Sequence, residues 1–311
     1  MKLLFMGTPD FALSSLRALR NAGHEIAAVV TQPDKPKGRG HKMAHPPVYD
    51  YAVEHKIPVF QPPNLKRETF EEILKSIDPA LIVVTAYGKI LPEYVLCYPA
   101  YGCINVHASL LPKYRGAAPI QRCIMDGETQ TGVTIMYMEK GLDTGDMILK
   151  APVEILPDDT FETLHDKLAA AGEHALVTAV SQIEAGTAKR EKQDHQMSSY
   201  AAMIDKETAK IDWSKNAFAI CNLVRALYPA PKAQTSYQGK RLKIARAHMA
   251  KETSSKHPGT ILVVNNEKIL VACGKQSVLA VTELQMEGKR CMPVSEFLKG
   301  NLLLEGEVLG I

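Results

Sequence analysis

The chain has 311 residues, of which 46% are hydrophobic and 23% are charged, a composition typical of a globular protein rather than a disordered or fibrous one. Domains commonly contain about 100 to 200 residues, so this length predicts two of them. The apolar run after Lys2 stops at Gly7. It is too short for the core of a signal peptide, and no other segment is suited to spanning a membrane. We therefore expect a cytoplasmic protein without membrane association.

The formal net charge of +3 is unevenly distributed. Residues 206 to 311 carry 16 Lys and Arg against 9 Asp and Glu, a net charge of +7, which leaves 21 basic and 25 acidic residues, net −4, before them. A basic C-terminal part favours a polyanionic partner. A solvated, lysine-rich surface explains the same charge equally well.

Six cysteines occur, at positions 97, 103, 123, 221, 273 and 291. They include no Cys-x-x-Cys pair and no close spacing with histidine of the kind that builds zinc sites. Reduced, mostly buried thiols in a reducing compartment are the expected state, and no metal is expected.

In the first half of the chain, short apolar runs alternate with amphipathic segments. The patterns predict strands at 2–6, 25–32, 57–60, 79–86 and 101–107, and helices at 9–23, 46–56 and 66–77. Thr8 is predicted to cap the first helix, with Pro9 at its first position. Apolar strands that alternate with helices indicate a Rossmann-like, doubly wound and mostly parallel sheet.

The second half predicts a different architecture. A long amphipathic helix is expected at 160–185, a polar linker at 189–206 and a shorter helix at 217–229. Five closely spaced strands then follow, at 233–238, 241–250, 259–265, 268–274 and 277–286. They predict a small C-terminal OB-like β-barrel. The chain would thus divide into domains at 1–188 and 207–311, joined by the linker.

Asn105 and His107 end the strand "CINVH". Positions two apart in a strand share a face, and ligands of doubly wound sheets bind beyond the carboxyl ends of the strands. An amide and an imidazole directed at one point can stabilise the oxyanion of an acyl transfer. A lone histidine near a strand end is more often a structural hydrogen-bonding residue, so both interpretations stay open here.

Asp143 lies between Gly141 and Gly145 in the segment "GLDTGD". Its carboxylate could orient His107 or move a proton. It could equally be a turn aspartate, because aspartate is common in turns. The sequence pattern does not place Asp143 beside His107.

Gly7, directly after the first strand, suggests a dinucleotide-binding turn. The further glycines of the Gly-x-Gly-x-x-Gly pattern are missing, and no acidic residue at the required distance is evident. A nicotinamide site is therefore disfavoured.

Together, "INVHASLLPKYRGAAPIQ" at 104–121 and "GLDTGD" at 141–146 resemble the active-site signature of the folate-dependent formyltransferases. Further segments extend the resemblance over both predicted domains: "MGTPDFA", "TQPDKPKGRGHKM", "AYGKILP" and "IDWS". The resemblance implies that Asn105, His107 and Asp143 form the catalytic trio. It also implies a cis peptide bond before Pro112 and a folate site lined by Ser109, Leu110, Leu111, Pro112, Ile90 and Leu91.

The implied reaction transfers the formyl group of 10-formyltetrahydrofolate, a co-substrate, to the α-amino group of methionine on initiator methionyl-tRNA, without a metal. In such enzymes a basic loop meets the acceptor end of the tRNA. Here that loop is "DKPKGRGHK" at 34–42, and its predicted tRNA-binding residues are Lys35, Lys37, Arg39 and Lys42. Considered without the resemblance, this segment is an ordinary solvated loop.

A basic strand of the C-terminal domain, with Lys240, Arg241, Lys243 and Arg246, would add phosphate contacts that do not depend on base sequence. Strand alternation predicts that Arg241 and Lys243 share a face and that Arg246 lies on the other. We expect a monomer.

Three alternatives to this function remain open. The chain could be a sugar-nucleotide N-formyltransferase, a 10-formyltetrahydrofolate hydrolase, or an RNA-binding module without activity. The basic loop and the charge of the C-terminal domain favour tRNA as the acceptor over an amino sugar. The complete Asn, His and Asp set argues against a module without activity.

Overall fold

The computed structural model describes residues 1–37 and 42–310. They form two compact units. The first comprises Met1–Ala117, Gln130–Glu154 and His165–Ala201, and the second comprises Ala118–Thr129, Ile155–Leu164 and Ala202–Ile311. The domain boundaries predicted from the sequence, at 188 and 207, stay predictions.

The helices, in chain order, are α1 (Asp10–Asn21), α2 (Pro47–Glu54), α3 (Arg67–Ile77), α4 (Glu93–Leu96), α5 (Pro119–Met125), α6 (Phe161–Glu184), α7 (Ala217–Ala226) and α8 (Val294–Phe297). A 3₁₀ turn covers His195–Met197. Within the described residues, none of these helices combines the length and apolar character that a membrane span requires.

The strands of the first unit are β1 (Lys2–Gly7), β2 (Glu25–Val30), β3 (Lys35–Lys37), β4 (Lys42–Ala44), β5 (Val59–Phe60), β6 (Leu81–Thr85), β7 (Cys103–His107), β8 (Arg115–Gly116), β9 (Gln130–Tyr137), β10 (Met147–Glu154) and β11 (Tyr200–Ala201). Seven of them form one sheet in the order β10-β9-β7-β6-β1-β2-β5. Its pairs from β7 to β5 are parallel, whereas β9 is antiparallel to both β7 and β10. The predicted Rossmann-like, mostly parallel sheet is confirmed, and β9 and β10 are additions that the sequence patterns missed.

Burial explains why the central strands are apolar. All five residues of β6 are buried, as expected for a parallel strand covered on both faces. One core cluster joins Leu4 and Ile82 of the sheet to Phe70 and Leu74 of α3, and all four side chains are fully buried. Each such side chain contributes about 1.5 to 3 kcal/mol through the surface that it removes from water.

The predicted cap of α1 is wrong. The helix begins at Asp10, Pro9 occupies the N-cap position, and no side chain caps the helix. The Thr8 hydroxyl instead donates to the carbonyl oxygen of Tyr87, 3.3 Å away. Tertiary contact with the neighbouring loop has thus replaced the local capping interaction.

The second unit contains the strands β12 (Ala233–Tyr237), β13 (Lys240–Met249), β14 (Ile261–Val264), β15 (Ile269–Ala272), β16 (Val278–Met286) and β17 (Met292–Pro293). They form one antiparallel sheet in the order β12-β13-β16-β15-β14, with β17 also paired to β16. Helix α7 and Trp213 pack into the core of this unit. All five predicted strands are present, which confirms a C-terminal antiparallel β domain.

One register prediction in this sheet is wrong. Ile244 and Arg246 pair with consecutive residues of β16, which leaves Ala245 as the extra residue of a β-bulge. The bulge shifts the alternation of β13, so the exposed side chain of Arg246 lies on the same face as Arg241 and Lys243. Strict alternation, which the sequence prediction assumed, had placed it on the opposite face.

Candidate active site

Strand β7 carries two of the predicted catalytic residues at its carboxyl end. It lies between β6 and β9, with Asn105 opposite both Val84 and Met136, and His107 opposite Thr134. His107 is buried and Asn105 is half-buried. The parallel sheet therefore delivers these two side chains where sheets of this type bind ligands.

The hydrogen bond of His107 shows which of its two ring nitrogens carries a hydrogen. Its Nε2 lies 2.9 Å from the carbonyl oxygen of Tyr114, and a carbonyl oxygen can only accept, so Nε2 carries a hydrogen. Its Nδ1 faces Oδ2 of Asp143 at 3.6 Å. In the neutral ring, Nδ1 is therefore the nitrogen without a hydrogen, and it faces the Asp143 carboxylate.

The Asn105 carboxamide is available to a ligand. It is half-buried, and no hydrogen-bond partner for it occurs among the residues that the structure describes. A polar group in this position gains a partner when a substrate with a complementary group binds.

Asp143 reaches this site from the connection between β9 and β10. Tyr137, the last residue of β9, lies opposite Ile104, so the connection leaves the sheet about three residues before His107. To bring Asp143 near His107, the connection must fold back along β7. Asp143 itself has a positive φ of 49°. Its Oδ2 accepts a hydrogen bond from the amide of Gly116 at 2.8 Å.

The two glycines that flank Asp143 have different roles. A Cβ on Gly145 would lie 1.9 Å from the carbonyl oxygen of Tyr137, a main-chain atom that cannot rotate away. The three atoms nearest to a Cβ on Gly141 all belong to the side chain of Thr144. Gly145 thus allows the connection to approach the protein's own backbone at Tyr137 closely.

Thr134 organises the turn after β7 and was missed by the sequence analysis. Its hydroxyl donates to the carbonyl oxygen of Ser109 at 2.7 Å and accepts from the amide of Leu111 at 3.1 Å. The next peptide bond, before Pro112, is cis, as the resemblance implied. A threonine inside a strand carries no pattern that would reveal this role.

Arg115 and Gln193 were also missed. The carboxamide of Gln193 contacts the carbonyl oxygens of Asp143 and Gly145, and it accepts hydrogen bonds from the guanidinium of Arg115. Gln193 lies within the segment 189–206 that the sequence identified as a polar linker, yet it is buried in the first unit. The residues around Gln193 in the sequence are mostly charged or polar, so their pattern does not predict that Gln193 is buried.

The residues predicted to line a folate site differ in exposure. Ser109 and Leu111 are buried, and the Ser109 hydroxyl donates to the carbonyl oxygen of Lys113 at 2.7 Å. Leu91 is buried, whereas Ile90 is 85% exposed. The half-buried members are Leu110 and Pro112. Contact of these residues with folate stays a prediction.

The predicted tRNA loop is described only at its base. Lys35 donates from Nζ to Oε1 of Gln32 at 2.7 Å. Lys37 and Lys42 are opposite each other in the β3–β4 pair. Arg39 lies outside the described residues.

Cationic side chains gather around Tyr228 in the second unit. Arg246 lies with Cζ 5.0 Å from the centre of the Tyr228 ring, and Lys232 lies with Nζ 5.8 Å from it.

Other charges act on the cations of this region. Desolvation, and then repulsion from Lys232 and Arg241, lower the pKa of Lys243. Arg241 and Arg246 each contact a glutamate, Glu287 at 2.6 Å and Glu283 at 3.6 Å. We call Tyr228, Lys232, Lys243 and Arg246 the Tyr228 surface.

A cysteine nucleophile is unsuited to this site. Cys103 begins β7 and is buried, and burial, followed by the nearby Cys97, raises the pKa of its thiol to about 12. The thiol therefore stays protonated at neutral pH.

Comparison with known proteins places these features in a family. The family model "Formyl transferase" matches residues 1–180, and "Formyl transferase, C-terminal domain" matches residues 203–302. The chain belongs to the formyl transferase family. It is therefore a transferase, and both units have counterparts in the family.

Full-length relatives share about half of the sequence. The methionyl-tRNA formyltransferase of Acetivibrio thermocellus is 48% identical over 311 residues, covering all of both chains. That of Syntrophus aciditrophicus is 49% identical over 310 residues, covering 100% of this chain and 99% of the relative. A solved N-formyltransferase from Helicobacter canadensis, in complex with folinic acid and dTDP-3-aminofucose, has a TM-score of 0.68 at 21% identity and covers 92% of this chain and 99% of that one. This last likeness supports the fold alone.

We predict that Gly145→Ala destabilises this formyl transferase by about 1 to 3 kcal/mol, because the added methyl group must displace the backbone at Tyr137. Urea unfolding followed by circular dichroism measures the change. Gly300→Ala is the matched control, since its Cβ would meet nothing within 4 Å. Equal midpoints for the two variants would contradict the prediction.

Proposed function

We propose that the protein transfers the formyl group of 10-formyltetrahydrofolate to the α-amino group of methionine on initiator methionyl-tRNA. The observation that carries the proposal is the approach of His107 Nδ1 to Asp143 Oδ2, 3.6 Å apart. On the same strand, the carboxamide of Asn105 has no hydrogen-bond partner among the residues that the structure describes. The names of relatives that are 48% and 49% identical over the whole chain support the same acceptor.

The proposed reaction needs an oxyanion site and a proton relay. The amine nitrogen bonds to the formyl carbon, and the carbonyl oxygen gains negative charge. Asn105 donates an N–H to that oxygen, and His107 donates from Nδ1 when the ring is charged. Aligned donors of this kind stabilise the transition state by about 3 to 4 kcal/mol each.

The bond from the formyl carbon to N10 of the folate then breaks. The amine loses one proton and N10 gains one, so the atoms balance without another reactant. His107 Nδ1 can hold one proton, and the Asp143 carboxylate stabilises the resulting imidazolium. Because the amine attacks only when neutral, turnover falls at low pH.

The tRNA would contact two basic regions. The loop at 34–42, with Lys35, Lys37, Arg39 and Lys42, is proposed to meet the acceptor end. The Tyr228 surface is proposed to bind phosphates of the tRNA. Desolvation is the larger cause of the lowered pKa of Lys243, and repulsion from Lys232 and Arg241 is the second. An anion bound between these cations would relieve that repulsion.

A sugar-nucleotide N-formyltransferase is the second candidate. Asn105, His107 and Asp143 would serve an amino sugar as well, since its acceptor group is also an amine. The net charge of +7 on residues 206 to 311 favours a polyanionic acceptor instead.

We predict that the purified protein formylates charged initiator tRNA in the presence of 10-formyltetrahydrofolate and leaves dTDP-linked amino sugars unmodified. Chromatography of the released amino acid and of the sugar nucleotide measures the two products. A buffer control without acceptor measures hydrolysis. Formylated sugar, or folate product in buffer alone at the same rate, would reject the proposed acceptor.

We predict that His107→Ala and Asn105→Ala each lower kcat by about 10²- to 10³-fold, because each removes one donor to the oxyanion. Asp143→Asn keeps an acceptor for the Gly116 amide but removes the negative charge beside Nδ1, so kcat also falls. Initial rates at saturating substrate test this, with circular dichroism as the check of folding. Full activity of folded His107→Ala would reject the assigned role.

We predict that the double variant Lys232→Ala/Lys243→Ala binds tRNA more weakly and with a smaller salt dependence. The slope of log K against log salt should fall by about 0.7 to 0.9 for each lost phosphate contact. The matched control is Lys256→Ala/Lys299→Ala, which removes the same charge from exposed positions elsewhere in the second unit. Equal slopes for the two variants would exclude the Tyr228 surface as the binding region.

A further inference from the structure

The connection that carries Asp143 is held at its main chain by one buried side chain. Gln193 Nε2 lies 2.8 Å from the carbonyl oxygen of Asp143 and 2.8 Å from that of Gly145. A carboxamide nitrogen has two hydrogens, so each carbonyl receives one. Gln193 thus fixes the backbone on both sides of Thr144, including the main chain of Asp143 itself.

Arg115 fixes Gln193 in turn. Its Nε and one terminal nitrogen donate to Oε1 of Gln193 at 3.0 and 2.6 Å, and its other terminal nitrogen lies 3.2 Å from Nδ1 of His195. The guanidinium is buried, and no carboxylate pairs with it among the described residues. A buried charge that depends on neutral acceptors is costly to leave unbonded, so its orientation is strictly maintained.

Arg115 also lies in the segment that aligns the catalytic pair. Its neighbour Tyr114 accepts from His107 Nε2, and its neighbour Gly116 donates to Asp143 Oδ2. The side chain of Arg115 adds a third link, through Gln193, to the main chain of the Asp143 connection. Tyr114, Gly116 and Arg115 therefore hold, in that order, His107, the Asp143 carboxylate and, through Gln193, the Asp143 backbone.

We propose that Gln193, oriented by Arg115, is a positioning residue that holds Asp143 against His107. This rests on the proposed catalytic role of Asp143. The need for it follows from the topology: the connection leaves β9 level with Ile104 and must fold back to reach His107. Without the two hydrogen bonds from Gln193, the contact with the Gly116 amide still holds the carboxylate, but the main chain at Asp143 and Gly145 loses its restraint. Asp143 then moves away from Nδ1.

The chemistry of glutamine supplies a sharp test. Gln193→Glu keeps the size of the side chain and the acceptor for Arg115, but it has no N–H for the two carbonyl oxygens. Gln193→Ala removes both interactions. Gln196→Ala is the matched control, since Gln196 lies three residues away on the same segment and is exposed.

The first measurement does not depend on the reaction. We expect faster hydrogen exchange at the Gly116 amide and in peptides covering 139–146 in Gln193→Glu and Gln193→Ala, with no change in Gln196→Ala. The second measurement is the rate of formyl transfer to charged initiator tRNA. Displacements of about 1 Å can cost about 10²-fold in rate, so kcat should fall by about 10- to 100-fold in both Gln193 variants, with KM for tRNA and for the folate unchanged.

Three results would overturn the proposal: unchanged exchange at Gly116 in both Gln193 variants, a fall in activity that appears only in KM, or full activity in Gln193→Glu. Circular dichroism at the assay temperature must show each variant folded. A wild-type protein inactive with tRNA would reject the proposed function, whereas the exchange result would still decide whether Gln193 holds the connection.

Discussion

The candidate site depends on the backbone of three consecutive residues, Tyr114 to Gly116. The carbonyl oxygen of Tyr114 accepts a hydrogen bond from His107 Nε2, which places the ring hydrogen on that nitrogen. The amide of Gly116 donates a hydrogen bond to the carboxylate of Asp143. Tyr114 and Gly116 both have positive φ angles, 59° and 116°. The two groups belong to one short, constrained segment, so the distance between acid and base is set by a single local conformation.

That segment is itself anchored by residues far away in sequence. Its strand β8 pairs with β11, and Ser199 accepts from the amide of Tyr114 at 2.9 Å. Gln193 joins the same region to the Asp143 connection. The stretch between α6 and the second unit is therefore part of the active-site support and more than a tether.

The sequence predicted the elements well and their contacts poorly. Apolar runs and helical periodicity located the parallel strands and α1 to α3, because burial on both faces of a sheet requires those patterns. The patterns missed β9 and β10, the strands before and after the connection that carries Asp143. They also failed at Thr8 and at Arg246, where a tertiary hydrogen bond and a β-bulge replaced the local rule.

The sequence by itself determined the family, the two-part architecture and the candidate residues Asn105, His107 and Asp143, because motif spacing and hydrophobic periodicity are properties of the chain alone. The tertiary structure decided which ring nitrogen of His107 carries the hydrogen, how near Asp143 comes to it, and that Gln193 and Arg115 belong to the site. Those facts depend on hydrogen bonds between segments up to about 80 residues apart. Their geometry exists only once the chain has folded, since no local preference encodes a contact between distant segments.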